Sequence, residues 1–124
     1  MEAGKRSVVV LGASAKRERH SNKAVRLLKS EGFRIIPVHP ALETVEGIPV
    51  TASLGGIREP VDTLTVYVGP EHALEMSDAI VALRPGRVIF NPGTETPALQ
   101  EKLAAAGIPY LEACTLLLLS TGQF

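Results

Sequence analysis

The chain has 124 residues, of which 45% are hydrophobic and 21% charged, so it fits one globular domain rather than a disordered polymer. Thirteen basic residues balance thirteen acidic ones, and this even charge predicts no nucleic-acid partner and no membrane partner. The single cysteine excludes an internal disulfide. The apolar stretch at residues 8–11 is too short for a signal peptide or a membrane span, so we expect a cytoplasmic protein.

Strand-like and helical patterns alternate from the start of the chain. Residues 8–11 (VVVL) are a continuous apolar run rich in β-branched valine, typical of a strand buried on both faces, and Gly12 bounds it. Ser21 is the predicted cap of a first helix, which Gly32 closes. Residues 34–38 (RIIPV) then form the second predicted strand.

The same alternation continues in the second half. Residues 64–68 (LTVYV) predict a strand, followed by one continuous helix with Pro70 in its first turn. Residues 87–90 (RVIF) predict the next strand, followed by a helix with Pro97 in its first turn. Residues 108–111 predict the last strand.

Two segments give weaker signals. Between residues 41 and 60, the pattern predicts only a short strand around 48–50 and a helical turn around 54–57. The ending, EACTLLLLSTGQF, fits a buried strand or a short helix, because periodicity cannot distinguish the two in a short apolar run.

Alternating strands and helices predict a parallel sheet with helices on both faces. Right-handed crossovers bring the loops that follow the strands to one edge of that sheet. We therefore predict a Rossmann-like, doubly wound α/β fold with a mainly parallel sheet of about five strands, as a single domain over residues 1–124.

The loop after the first strand has the composition of an anion site. Gly12 permits a tight turn, and small residues after it let a phosphate approach the backbone at a helix start. Nearby hydroxyls, an amide and two cations suit a pyrophosphate; they belong to Ser14, Lys16, Arg19, Ser21 and Asn22. Eight of the thirteen basic residues lie within the first 29 positions, and most of them fit a solvated helix face equally well.

The sequence argues against two common nucleotide motifs. The first loop lacks the G-x-x-x-x-G-K-[ST] spacing of a P-loop, and Ser14 and Arg17 stand where a dinucleotide fingerprint has its later glycines. A nicotinamide-binding domain also places an acidic residue at the end of the second strand for the ribose hydroxyl. Here that place reads PVHP (residues 37–40), with no carboxylate before Glu43. NAD is therefore disfavoured, and another phosphate-bearing ligand fits better.

Five segments together carry a resemblance to a known family: VVVLGASAKRERHSNKAVRLL, IIPVHP, DTLTVYVGPE, VIFNPGTETP and EACTLLLLSTGQF. They resemble the small stand-alone CoA-binding proteins, which are related to the CoA-binding domain of the succinyl-CoA synthetase α subunit. The resemblance runs over nearly the whole chain with the motifs in the same order. It implies that coenzyme A or an acyl-CoA lies across the carboxyl ends of the parallel strands.

The resemblance also implies which residues meet each part of the ligand. Those at the phosphates are Gly12, Ala13, Ser14, Lys16, Arg19 and Asn22. Those that wall the adenine are Val38, His39 and Pro40, where members of the family commonly have V-N-P. Those that border the ligand after the next strand are Tyr67, Val68 and Pro70. Those near the pantetheine path are Asn91 and Pro92, within an NPG motif.

No catalytic motif stands out in the sequence. Cys114 has Glu112 beside it, which disfavours a thiolate, so we expect a buried structural cysteine. His20, His39 and His72 show no metal-ligand spacing. The leading hypothesis is a CoA-binding protein without catalytic machinery, with a protein partner or homo-oligomer left open. The alternatives are an NAD(P)-binding redox enzyme or sensor, and an interaction module with a vestigial nucleotide pocket.

Overall fold

The computed structural model describes residues 6–124 as a central sheet with helices packed on both faces. The strands, in chain order, are β1 (Ser7–Leu11), β2 (Arg34–Val38), β3 (Thr44–Val45), β4 (Ile48–Pro49), β5 (Thr63–Val66), β6 (Arg87–Phe90) and β7 (Tyr110–Glu112). The helices are α1 (His20–Ser30), α2 (Pro70–Glu75), α3 (Ser77–Leu83), α4 (Pro97–Ala105) and α5 (Thr115–Ser120). A 3₁₀ turn spans Leu54–Gly56.

Five parallel strands form the sheet in the order β2-β1-β5-β6-β7. β3 and β4 form a separate antiparallel hairpin. This arrangement confirms the predicted Rossmann-like, doubly wound α/β fold with its parallel sheet. No helix within residues 6–124 is long and apolar enough to cross a bilayer.

β1 lies inside the sheet and is buried on both faces, as its unbroken β-branched run predicts. Val9 pairs with Ile36 of β2 on one side and with Leu64 of β5 on the other. Side chains alternate between the two faces of the strand. Val8 and Val10 pack toward α1 and α5, whereas Val9 packs toward α2, α3 and α4. The sheet therefore has an apolar core on each face.

The order of the strands creates a switch point between β1 and β5. The chain leaves β1 toward β2 on one side, and it leaves β5 toward β6 on the other. In open α/β sheets the loops diverge at such a point and leave a crevice at the carboxyl ends of the strands. The first loop and the loop after β5 face each other there.

Several predicted boundaries are wrong. Helix α1 begins at His20, with Arg19 as the cap residue, so Ser21 lies inside the first turn and is buried rather than capping. β5 ends at Val66, which leaves Tyr67 and Val68 in the loop, and β7 begins at Tyr110 rather than at residue 108. The ambiguous C-terminal segment forms the helix α5.

The predicted continuous helix after the third long strand is also wrong, because two helices occupy that segment. Met76 separates α2 from α3 with φ −94° and ψ 8°. Its N–H lies 3.2 Å from both the His72 and the Ala73 carbonyl oxygens, so the turn tightens there and α2 ends. The short strand and the helical turn predicted between residues 41 and 60 are both confirmed, as β4 and as the 3₁₀ turn.

Candidate functional site

The first loop turns sharply at Gly12 and approaches the loop after β5. Gly12 has a φ of +90°, a conformation that favours glycine. The N–H groups of Gly12 and Ala13 both donate to the carbonyl of Val38, at 3.2 and 3.1 Å. These two amides are therefore engaged with the end of β2. The N–H groups of the first turn of α1, by contrast, have no partner within the helix.

A buried asparagine holds the rest of the first loop in place. The side-chain amide of Asn22 is fully buried and donates to the Ser14 carbonyl at 2.9 Å and to Glu46 at 3.1 Å. Its oxygen accepts from Arg26 Nε at 2.8 Å, and the same guanidinium donates to the Arg17 carbonyl at 2.8 Å. The amide of Asn22 thus bonds to the protein at both of its polar atoms.

A polar cleft of about 410 Å³ lies above the switch point. The residues that line it are Gly12, Ala13, Ser14, Arg19, His20, Ser21, His39, Tyr67, Val68, Pro92 and Thr94. They include an exposed guanidinium, two imidazoles and several hydroxyls, and they include no carboxylate. This set of donors suits an anionic ligand.

An apolar cavity of about 480 Å³ adjoins the polar cleft and shares Gly12 and Val68 with it. The residues that line it are Leu11, Gly12, Val38, Pro40, Ala52, Ser53, Leu54, Gly55, Val68, His72, Met76 and Ala79. Most of these side chains are aliphatic, and no carboxylate is among them. The cavity suits the flat apolar face of an aromatic ring.

A small cavity of about 140 Å³ adjoins the polar cleft and shares His20, Tyr67 and Pro92 with it, but shares no residue with the apolar cavity. The residues that line it are His20, Tyr67, Asn91, Pro92, Cys114 and Leu116. The expectation of a buried Cys114 is wrong, because the thiol is half-buried at this wall. It precedes α5, whose buried positions are Thr115 and Leu119.

The Tyr67 hydroxyl is buried without a hydrogen-bond partner among residues 6–124. Burial disfavours the charged phenolate and raises the pKa of Tyr67 to about 12, although the Thr115 and Thr65 hydroxyls nearby counteract this effect. Tyr67 therefore stays protonated at neutral pH as part of the wall of both the polar cleft and the small cavity.

Asn91 sits in a buried polar network under the small cavity. Its Nδ2 donates to Thr65 Oγ1 at 2.7 Å and to the Val66 carbonyl at 2.8 Å. Its Oδ1 accepts the N–H of Thr115 at 2.8 Å, and the Thr65 and Thr115 hydroxyls lie 2.7 Å apart. Asn91 thus links β5, β6 and the start of α5 by hydrogen bonds, and it also lines the cavity.

The structure brings most of the sequence-predicted site residues to these three cavities. Eight line the polar cleft: Gly12, Ala13, Ser14, Arg19, His39, Tyr67, Val68 and Pro92. Val38 and Pro40 line the apolar cavity, and Asn91 lines the small one. Lys16, Asn22 and Pro70 line none of the three.

Sequence reasoning missed other lining residues. His20 and Thr94 line the polar cleft, and Met76 and Ala79 line the apolar cavity. His20 directly precedes Ser21, the predicted helix cap, and this position is compatible with the cleft. Met76 and Ala79, by contrast, look like ordinary helix-core residues in the sequence. No group of three or more His, Cys, Asp or Glu side chains in the described chain is arranged to hold a metal ion.

The fold defines a Rossmann-like α/β class of domain, with a polar cleft at its switch point. The chain belongs to the CoA binding domain family, whose model matches residues 6–120. This match confirms the resemblance found in the sequence.

Two solved structures and one curated protein illustrate the relationship. A crystal structure of an uncharacterized protein is 38% identical, with a TM-score of 0.91, over 98% of this chain and 99% of that one. A Thermus thermophilus structure, cell-free ID.343, is 31% identical, with a TM-score of 0.89, over 97% of this chain and 91% of that one. The Bacillus subtilis protein YneT, itself uncharacterized, is 30% identical over 60 residues, which are 48% of this chain and 44% of YneT. The matched part of the chain therefore spans less than half of YneT.

Proposed function

We propose that this protein binds coenzyme A or an acyl-CoA across the carboxyl edge of its sheet. The observation that carries the proposal is the order of the three adjoining cavities: apolar, then polar and cationic, then small. That order matches the adenine, the phosphates and the pantetheine arm of coenzyme A. Membership of the CoA binding domain family supports the same ligand.

The phosphates belong in the polar cleft. Arg19 supplies a guanidinium at its rim, and Ser14 and Thr94 add hydroxyls. The first turn of α1 presents free N–H groups and the positive end of the helix dipole to the same region. We assign Asn22 to holding the loop rather than to touching the ligand, because its amide is engaged with the protein. Lys16, which is exposed outside the cleft, adds only longer-range attraction.

The adenine belongs in the apolar cavity, between Val38 and Pro40 on one side and Val68 on the other. Met76 and His72 line the same cavity from α2 and its end. The absence of a carboxylate from the lining of this cavity and of the polar cleft argues against a nicotinamide cofactor, whose ribose hydroxyls are bound by an acidic residue.

The pantetheine arm belongs along Tyr67 and Pro92 toward the small cavity. We propose binding without catalysis. On this proposal the protein stores, senses or presents the cofactor.

Calorimetric titration of ligand-stripped protein tests the proposal. Coenzyme A, NAD and ATP are titrated in turn into the same folded sample at one salt concentration. We expect saturable binding of coenzyme A and much weaker binding of NAD and ATP. Preference for NAD would favour a redox enzyme or sensor instead. No heat from any nucleotide, in a protein shown to be folded, would favour an interaction module with a vestigial pocket.

A further inference from the structure

His39 lies directly after β2, and one of its ring nitrogens is committed to the protein backbone. Nδ1 accepts the N–H of Ala41 at 3.0 Å and the N–H of Leu42 at 3.2 Å. A ring nitrogen that accepts hydrogen bonds carries no proton, so the proton of the neutral imidazole lies on Nε2. The turn at residues 39–42 therefore fixes the tautomer of this histidine.

The remaining polar atom of the ring is a donor at the wall of the polar cleft. His39 lines that cleft together with Ser14 and Arg19. Its Nε2 makes no hydrogen bond with another residue in the range 6–124. Because the hydrogen bonds of Nδ1 already fix the ring, the Nε2–H group can donate to a ligand with little further loss of side-chain entropy.

The position of His39 in the chain indicates which part of the ligand it meets. Val38 and Pro40, on either side of it, line the apolar cavity, while His39 itself lines the polar cleft. It therefore stands at the junction between the proposed adenine and phosphate sites. In coenzyme A, the ribose with its 3′-phosphate joins those two parts.

We propose that His39 is a specificity-determining residue that donates Nε2–H to the ribose 3′-phosphate and so distinguishes coenzyme A from 3′-dephospho-coenzyme A. This inference rests on the proposed function. The oxygens of the ionised 3′-phosphate accept hydrogen bonds, so they match a histidine whose exposed nitrogen is held as a donor.

Two matched variants test the roles of the two ring nitrogens of His39 separately. In His39→Asn, the side-chain oxygen takes the place of Nδ1 as acceptor for the turn, but no group reaches the position of Nε2. In His39→Gln, an amide N–H reaches that position, but the acceptor for the turn is lost. The affinity for coenzyme A and for 3′-dephospho-coenzyme A is measured by calorimetry, and Tm is measured for each protein.

We expect wild-type protein to prefer coenzyme A, and His39→Asn to reduce that preference about tenfold with little change in Tm, since one charge-assisted hydrogen bond is lost. His39→Gln should retain more of the preference and lower Tm. If wild-type protein binds both nucleotides equally, or if His39→Asn keeps the full preference, the inference is overturned while the proposed function stands. If wild-type protein binds neither nucleotide, the proposed function itself fails.

Discussion

A Cβ atom on Gly12 would lie 2.8 Å from Cγ1 of Val68 and 3.1 Å from the carbonyl carbon of Tyr67. The loops that follow β1 and β5 thus approach each other so closely that position 12 has no room for a side chain. Gly12 and Val68 line both the apolar cavity and the polar cleft, so this approach sets the spacing of the two sites.

Gly12→Ala should destabilise the protein more than Gly93→Ala does. The two glycines have nearly the same φ, +90° and +91°, but a Cβ atom on Gly93 meets nothing within 4 Å. We expect Gly93→Ala to lower the free energy of unfolding by about 1 kcal/mol for its backbone conformation alone. Gly12→Ala should cost about 1–3 kcal/mol more, because it overpacks the contact with Val68. Urea denaturation measures both, and equal losses would contradict the tight approach.

Arg19→Ala should weaken the binding of coenzyme A without changing stability. Arg19 lines the polar cleft, and its side chain makes no capping hydrogen bond to α1. Losing a charge-assisted contact to phosphate should cost about 1.5–3 kcal/mol of binding free energy. Lys23→Ala is the matched control, because Lys23 is an exposed cation of the same helix that does not line the cleft. Equal effects of the two variants in calorimetry would indicate general attraction rather than a phosphate contact.

Asn22→Ala should reduce both stability and affinity. The variant leaves the Ser14 carbonyl and the Arg26 guanidinium without their buried partner, at a cost of about 1–3 kcal/mol in the free energy of unfolding. Affinity should fall because the loop at residues 14–17 is no longer held. Glu46→Gln is the matched comparison: it keeps an oxygen for Asn22 and removes only the ion pair with the exposed Arg17, worth at most about 1 kcal/mol. A loss of affinity in Asn22→Ala with stability intact, and no loss in Glu46→Gln, would place Asn22 at the ligand instead.

The sequence predicts the sheet and the edge that carries the site well, because each rests on strong local signals. The β-branched run before Gly12 reads as a buried strand, and parallel topology then brings the loops together. The roles of Asn22 and Asn91 could not be predicted from such local signals. A polar side chain beside a predicted ligand looks the same in sequence whether it meets the ligand or satisfies buried backbone groups, as both of these amides do. The leucine run of α5 likewise does not predict its secondary structure, because four apolar residues in a row fit a strand or a helix equally well.

Tyr67→Phe should change how stability depends on pH in the alkaline range. The Tyr67 hydroxyl is buried without a partner in the described chain, and burial raises its pKa to about 12, against an ordinary value near 10. Between these values the unfolded chain releases the phenolic proton while the native protein keeps it. The stability of the wild-type protein should therefore fall with rising pH.

The size of the effect follows from the number of protons bound in each state. Wild-type protein should lose about 1.4 kcal/mol per pH unit relative to Tyr67→Phe between pH 10 and pH 12, and nothing further above that range. At neutral pH Tyr67→Phe should be more stable than the wild-type protein by about 1–3 kcal/mol, since Phe removes a buried hydroxyl that has no hydrogen-bond partner in residues 6–124. Urea denaturation at pH 8, 10, 11 and 12 measures the difference. Parallel curves would show that the phenol of Tyr67 ionises equally readily in both states, and hence that it is in contact with solvent in the native protein.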